Sequence, residues 1–377
     1  MSDDVRPKFS FTNTSFILGT LLAAAVATPW YLWRYGLGWP EALTFVGIWL
    51  AVGVSVTAGY HRLFSHKTYQ ASWPVRLFFL VFGAGALENS VLSWAADHRL
   101  HHSHTDDDRD PYNIQKGFWW AHMGWIFFQV EKPSPTVVRD LYEDRLVVWQ
   151  GRWYVPLGIA VAFGIPLAVG LATGHVLGCL IIGCLLRIVV SHHGTFFINS
   201  LCHMIGRQPY SRDHSARDST VMAVLAFGEG YHNYHHSFPF DYRNGIKGWH
   251  FDPAKWTIYG LSRLGLAKNL RRASDVAILK AKVEVQFAKA RERVDSTVAD
   301  LRESYERRLH DAYASVQKAM HDLLAFERRK APAPPPEQEH LPHETRLGMI
   351  HNALEQALDD WRRILRQMKR LPAAAAA

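Results

Sequence analysis

"ALTFVGIWLAVGVSVTAGYHRLFSH", residues 42–66, runs uncharged for 19 residues to Tyr60 and then changes character at His61 and His66. A helix of that length crosses the ~30 Å of hydrocarbon in a bilayer. The two histidines therefore stand where the chain leaves the membrane. Residues 15–33, "SFILGTLLAAAVATPWYLW", form an equal run, and "RYGLGWPE" between them reads as a tight turn on the far side. A third uncharged region, 153–186, is too long for one crossing and tight for two. It is predicted as a helical hairpin turning near "ATGH" (172–175), with its last helix running on past Arg187 into the aqueous part. The apolar runs at 77–87 and 221–228 are shorter than a crossing and read as interfacial or buried helices. The expected fold is an all-α integral membrane protein: four transmembrane helices under a helical cap that carries the histidines.

With two spans before residue 61, none between 61 and 152 and two before 200, the segments 61–152 and 200–377 share one side. The N-terminus, with Arg6 and Lys8, shares it, whereas the turn at 172–175 has no Lys or Arg. The positive-inside bias makes that side cytoplasmic. Met1–Ser10 is charged, so no cleavable signal is read there. The membrane is taken as a bacterial inner membrane in preference to the endoplasmic reticulum. Cys179, Cys184 and Cys202 are an odd number in apolar surroundings and are expected as buried thiols. The net charge of +8 does not indicate nucleic acid, because many basic residues lie among acids in the C-terminal third and no binding motif accompanies them. The aromatic load of 14 Trp, 14 Tyr and 20 Phe suits membrane interfaces and apolar ligand walls.

Beyond about residue 270 acids and bases alternate, while Val294, Val298, Leu301, Tyr305, Leu309, Ala312, Val316, Met320 and Leu323 step by three and four as on an amphipathic helix. The expected organisation is a transmembrane domain over 1–270, a helical extension over 271–330, a Pro-rich linker at 331–342 and a C-terminal helix with an alanine tail over 343–377.

"HRLFSH" supplies His61 and His66, "HRLHH" His98, His101 and His102, and "HNYHH" His232, His235 and His236. His203 closes "NSLCH", with Asn199 one helical turn earlier. Nine imidazoles on one membrane face exceed the shell of a single ion, so two metals are implied. Imidazole alone does not name the ion. Asp97, Asp106, Asp110, Glu229 and Asp241 stand near enough in sequence to orient ring N–H groups. His122, His175, His250 and the tail histidines lack the spacing and are read as structural or solvent-facing; His192 and His193 are left outside the ligand set.

"GYHRLFSHKTY", "DHRLHHSHTDDDRDPYN", "GFWWAHMGW", "NSLCHMIGRQPY" and "GEGYHNYHHSFPFDYRNG" resemble, in order and spacing over about residues 15–270, the membrane-bound fatty acid desaturases, and most closely their acyl-CoA Δ9 (stearoyl-CoA-type) group. The resemblance implies a non-haem di-iron centre on the cytosolic side, with His61, His66, His98, His101, His102, His203, His232, His235 and His236 as ligands and Asn199 acting through a water. It implies an O2-dependent desaturase that places a cis double bond at carbon 9 of a long-chain acyl-CoA or another carried acyl chain. Trp94 and Thr195 match positions that shape the kink of the substrate channel, and Lys116 keeps one basic residue of the headgroup region. Asp97 and Glu229 are the expected supports of the ligands. The family's animal members carry an arginine where Ala96 stands, which leaves the acyl carrier open. No His-Pro-Gly-Gly motif of a fused b-type cytochrome occurs, so a separate electron carrier is implied, whether a b-type cytochrome, a ferredoxin or a rubredoxin-like protein, with its reductase. Two alternatives stay open: a fatty acyl hydroxylase of the same superfamily, and a histidine-rich membrane metal carrier.

Overall fold

The computed structural model describes residues 8–129, 134–297, 299–327 and 342–371. Arg6, Val298, residues 331–341 of the Pro-rich stretch and the alanine tail lie outside those residues. The chain divides into two compact units, residues 1–207 with 213–272 and residues 208–212 with 273–377.

In the first unit α1 (Phe11–Tyr35) and α2 (Trp39–Ser65) form a hairpin; α3 (Trp73–Ala84) and α4 (Val91–His104) follow. A second hairpin comprises α5 (Arg145–Thr173) and α6 (Val176–His203), and α7 (Thr220–Leu225), α8 (His232–Ser237) and α9 (Pro253–Arg263) follow it. Among the described residues α1, α2, α5 and α6 are long and apolar enough to cross a membrane. Leu22, Val26, Trp33 and Leu171 stand exposed on them, as lipid-facing residues must. The protein is an integral membrane protein of helical architecture. Two short antiparallel ladders occur among the described residues: β1 (Lys8–Phe9) and β2 (Gln70–Ala71) pair with β3 (Phe128–Gln129) and β4 (Ala267–Lys268) respectively.

The second hairpin turns at Gly174, whose φ of +75° closes α5 in the left-handed conformation that glycine adopts without strain. Its first helix starts at Arg145, earlier than Trp153, because the Asp144 side chain accepts the N–H groups of Leu146 and Val147 and caps it there. Its second helix continues past Arg187, which is fully buried and donates from Nη1 to the Gly85 carbonyl at 2.9 Å. The short runs become α3 and α7, both below spanning length.

The inner end of α2, Ser55–Ser65, is wound more widely than an α-helix, with the His66 N–H reaching the His61 carbonyl at 3.1 Å. In an ordinary helix residues five apart diverge by about 140° around the axis. The wider turn brings them onto one side, and the His61 and His66 rings lie 4.9 Å apart. Gly59 faces Phe79 so closely that a Cβ there would meet the Phe79 Cβ at 2.6 Å, which lets α3 lie flat on α2. Tyr60, Phe79, Leu80, Val91, Ala95, Val147 and Ile258 make the core that joins these helices to α4, α5 and α9.

The second unit holds α10 (Asp275–Asp295), α11 (Ala299–Glu327) and α12 (His343–Met368). The amphipathic stripe breaks at Ser296, so the extension is two helices rather than one. Val294, Leu309, Val316, Met320 and Leu323 are buried with Leu354, Trp361 and Met368 of α12, whereas Leu301 is exposed.

Candidate metal centre

The nine histidines gather into two groups: His61, His66, His98, His102 and His235 in one, His101, His203, His232 and His236 in the other, with the ligand atoms of each group within 4.8 Å of one another. The division follows helix geometry. On α4, His98 and His102 are four apart and share a face, while His101 points to the neighbouring group. On α8 the pattern is inverted, since His232 and His236 go together and His235 crosses to the first group. Each His-x-x-His-His motif thus serves both groups.

Within the groups the Nε2 atoms converge. His61 and His235 lie 2.9 Å apart, His66 and His98 2.8 Å, His235 and His102 2.9 Å, His232 and His203 3.1 Å, His236 and His232 3.1 Å, and His101 and His236 3.3 Å. Two nitrogens each about 2.1 Å from one ion and at right angles to it would be about 3 Å apart. The shorter spacings suit a shell with right-angled ligands better than a tetrahedral one, which would hold them about 3.4 Å apart. Burial first, and the neighbouring imidazoles second, hold His66, His98, His102, His232, His235 and His236 well below the ordinary histidine value. That shift favours the neutral form of these six rings, the form in which imidazole binds a metal. The donor set fits two metal ions.

The opposite nitrogens supply the rest of the argument. His61 Nδ1 donates to Glu229 at 3.1 Å and His101 Nδ1 to Asp110 at 2.9 Å. His203 Nδ1 donates to the Ser215 hydroxyl at 2.7 Å, which passes its own proton toward Asp106 at 2.5 Å. An acceptor on Nδ1 leaves the Nε2 lone pair free for the metal and fixes the ring plane. Burial pushes the Glu229 carboxyl up, but the charges and hydrogen bonds of His61 and Arg62 prevail and hold it at about 2. Asp241 is engaged by Arg243 and by the Tyr234 hydroxyl, both at 2.7 Å. Asp97 precedes His98 on α4 and lines the adjoining cavity. Removing one of these acceptors typically costs ~10–100-fold in metal affinity. For Asp110→Asn, whose amide oxygen still accepts a hydrogen bond, we expect roughly a tenfold loss, read by competition against a chelator.

A cavity of about 730 Å³ opens beside the histidines, with His61, His98, His101 and His232 in one wall and Phe16, Ile17, Val52, Val56 and Phe196 among the apolar residues of the others. Trp94 stacks on His98, with centroids 4.9 Å apart and planes inclined by 25°. Trp94, Thr195 and Asn199 all line the space. Lys116 is exposed, its ammonium 5.3 Å over the Trp120 ring. Of the histidines left out of the ligand set, His192 donates to the Ala86 carbonyl at 2.8 Å, His122 contacts Ser200 and His193 at 3.0 Å each, and His175 bonds Glu41 at 2.8 Å.

Three participants escape the reading of motifs. Arg62 gives one nitrogen to Glu229 at 2.9 Å and the other to Asp252 at 2.9 Å and the Tyr242 carbonyl at 2.8 Å. Ser215 carries the His203 relay. Glu88, an acid inside an apolar run, lines the cavity and accepts from Thr195 at 2.9 Å. Its one visible signal is a charge in the sequence "GAGALENS".

The sequence model of the fatty acid desaturase family matches residues 37–262, more than half of the chain and all nine of the grouped histidines. The chain belongs to that family. It is 43% identical over 247 residues to Acyl-CoA desaturase 1 of Saccharomyces cerevisiae, covering 64% of this chain and 48% of that one. The match to "Probable acyl-CoA desaturase" of Schizosaccharomyces pombe is 43% over 249 residues, covering 65% and 52%. Stearoyl-CoA desaturase 5 of Bos taurus is 36% identical over 250 residues, covering 62% and 74%. The chain thus spans about half the length of the two yeast relatives. Residues 263–377 lie beyond the family match.

Proposed function

We propose that this protein is an oxygen-dependent acyl-CoA desaturase that places a cis double bond at carbon 9 of a long saturated chain. The observation that carries the reading is the shared wall: His61, His98, His101 and His232 of both histidine groups border one largely apolar cavity. Its volume lies within the ~300–1,000 Å³ of small-molecule sites. A saturated hydrocarbon offers no polar handle, so the protein's task is to hold one stretch of chain beside the metals and exclude water. Trp94, fixed against His98, and Thr195 across the cavity are the residues assigned to bend it.

The nine histidines would hold two iron ions, which supply the reduction of O2 needed to attack an unactivated C–H bond. Overall, R–CH2–CH2–R′, O2, two electrons and two protons give R–CH=CH–R′ and two waters. The electrons come from a separate carrier of the b-type cytochrome, ferredoxin or rubredoxin class. Glu229, Asp110 and the Ser215–Asp106 pair hold the rings of His61, His101 and His203, and Asn199 is assigned a water-mediated contact. Lys116, exposed and basic, is assigned to the acyl carrier's headgroup.

The site is placed on the cytoplasmic face, supported by the parity of the hairpins and the lack of Lys or Arg at 172–175. A bacterial inner membrane is proposed in preference to the endoplasmic reticulum; the relatives named above are eukaryotic, and fractionation of the native host decides. The helical unit beyond residue 272 is proposed as a non-catalytic extension.

Fatty acids from cells expressing the chain with a competent electron donor should contain a new cis monoene, with its double bond at carbon 9. Hydroxy acids in its place would transfer the reading to a hydroxylase. Metal-loaded protein that consumes no O2 would transfer it to a metal carrier.

A further inference from the structure

Glu88 stands where an apolar chain has no use for an acid. It lies in the loop between α3 and α4, faces the cavity, accepts from Thr195 Oγ1 to Oε1 at 2.9 Å and is also hydrogen-bonded by Trp94. Its other oxygen, Oε2, is buried and has no hydrogen-bond partner among the described residues. The groups packed around it do not neutralise it. Arg187 on α6 acts on it through its charge, yet donates to the Gly85 carbonyl and forms no ion pair with Glu88 among the described residues. Tyr60 on α2 bonds Gln150, Tyr154 on α5 accepts from the Asn89 N–H, and His192 on α6 is engaged with the Ala86 carbonyl. None of these supplies a countercharge in contact with Oε2.

A hydrocarbon chain in this cavity displaces any water solvating Oε2. An ionised carboxylate would then be enclosed with only the neutral donors Thr195 and Trp94 and no countercharge in contact, which costs more than enclosing the neutral acid. We propose that Glu88 makes chain binding proton-linked: the acyl chain occupies the cavity with Glu88 neutral and is bound weakly when Glu88 is ionised. The proposal deepens the desaturase reading and rests on it. Burial, offset only in part by Thr195, Trp94 and Arg187, pushes the Glu88 carboxyl up to about 7, so the switch falls in the physiological range.

The test is equilibrium binding of stearoyl-CoA to the full-length, metal-loaded protein at pH 6 and pH 8.5. A group titrating near 7 that must be neutral in the complex weakens binding about 30-fold between those values. Glu88→Gln carries no such group, and its ratio between the two pH values reports the acyl-CoA head alone. The difference between the two ratios is therefore the quantity read. Calorimetry of the unaltered protein at pH 8, in buffers of different ionisation enthalpy, should show uptake of about 0.9 proton per bound ligand. That measurement stands even if the variant does not fold. Equal ratios in both proteins, or no proton uptake, would overturn the linkage and leave the desaturase reading in place. Failure of stearoyl-CoA to bind at either pH would overturn the desaturase reading, and the linkage with it.

Discussion

Replacing His235 by alanine is expected to remove close to one metal ion per chain and to abolish turnover while the protein still inserts into membranes. The Nε2 of His235 sits 2.9 Å from those of both His61 and His102, so it is the hub of the five-histidine group. It is 1% exposed. The loss should exceed the ~100-fold that removing a supporting group costs, because a ligand itself is gone. His175→Ala is the contrast. That ring lies at the turn of the second hairpin and bonds Glu41, far along the chain's topology from both histidine groups. Metal content and activity should stay near those of the unaltered protein. Metal analysis and O2 uptake on both variants decide; equal losses in the two would sink the ligand assignment.

Much of this arrangement is legible in the sequence because it repeats simple periods. Uncharged runs of spanning length set the hairpins, and histidines placed at their ends can only fall on one side. That each His-x-x-His-His motif can serve two ions is compatible with its spacing, since its last two residues diverge by about 100° around the axis, but the full division into five and four is not read from it. What the spacing cannot show is which motif inverts the pattern, since that depends on how α4 and α8 face each other. The His61 and His66 pair is also illegible by ordinary helical geometry. It needs the wider winding of Ser55–Ser65, which nothing in "SVTAGYHRLFS" announces.

The supports of the centre are harder still. Glu229 and Asp110 sit near histidines in the chain, yet Glu229 serves His61, which comes from another helix 168 positions earlier in sequence. Asp241, equally close to a histidine motif, turns to Arg243. Proximity in sequence names candidates among the acids, and only the packing of α2 against the 229–252 segment selects between them. Glu88 illustrates the same limit from the other side. An acid in an apolar run signals a buried function, but the partner that gives it meaning, Thr195, arrives from α6.

Arg62 is where fold and site depend on one another most directly, and Arg62→Met is the substitution with the largest expected effect on stability. The guanidinium is 1% exposed and lies between two carboxylates that are themselves buried, Glu229 at 2% and Asp252 at 0%. Methionine fills comparable space but leaves both acids without their cation. Removing one partner from a buried pair costs about 3–5 kcal/mol, which corresponds to roughly 10 °C in the midpoint of thermal unfolding. Lysine would not restore the network, because a point charge cannot present two nitrogens to two acids at once. The acid limb of stability carries a second signature. In the unaltered protein Glu229 is held at about 2, below its ordinary 4.5. A carboxylate depressed in the folded state stabilises the fold above its unfolded value, and that contribution disappears as pH falls from about 4.5 toward 2. In Arg62→Met one of the two opposing influences is gone, burial reasserts itself, and the decline should begin at higher pH. Glu229 would also lose the contact that fixes its carboxylate in place beside His61 Nδ1, so metal should be lost along with stability. A variant with an unchanged midpoint and unchanged metal content would show that Arg62 is incidental, and that Glu229 holds His61 without it.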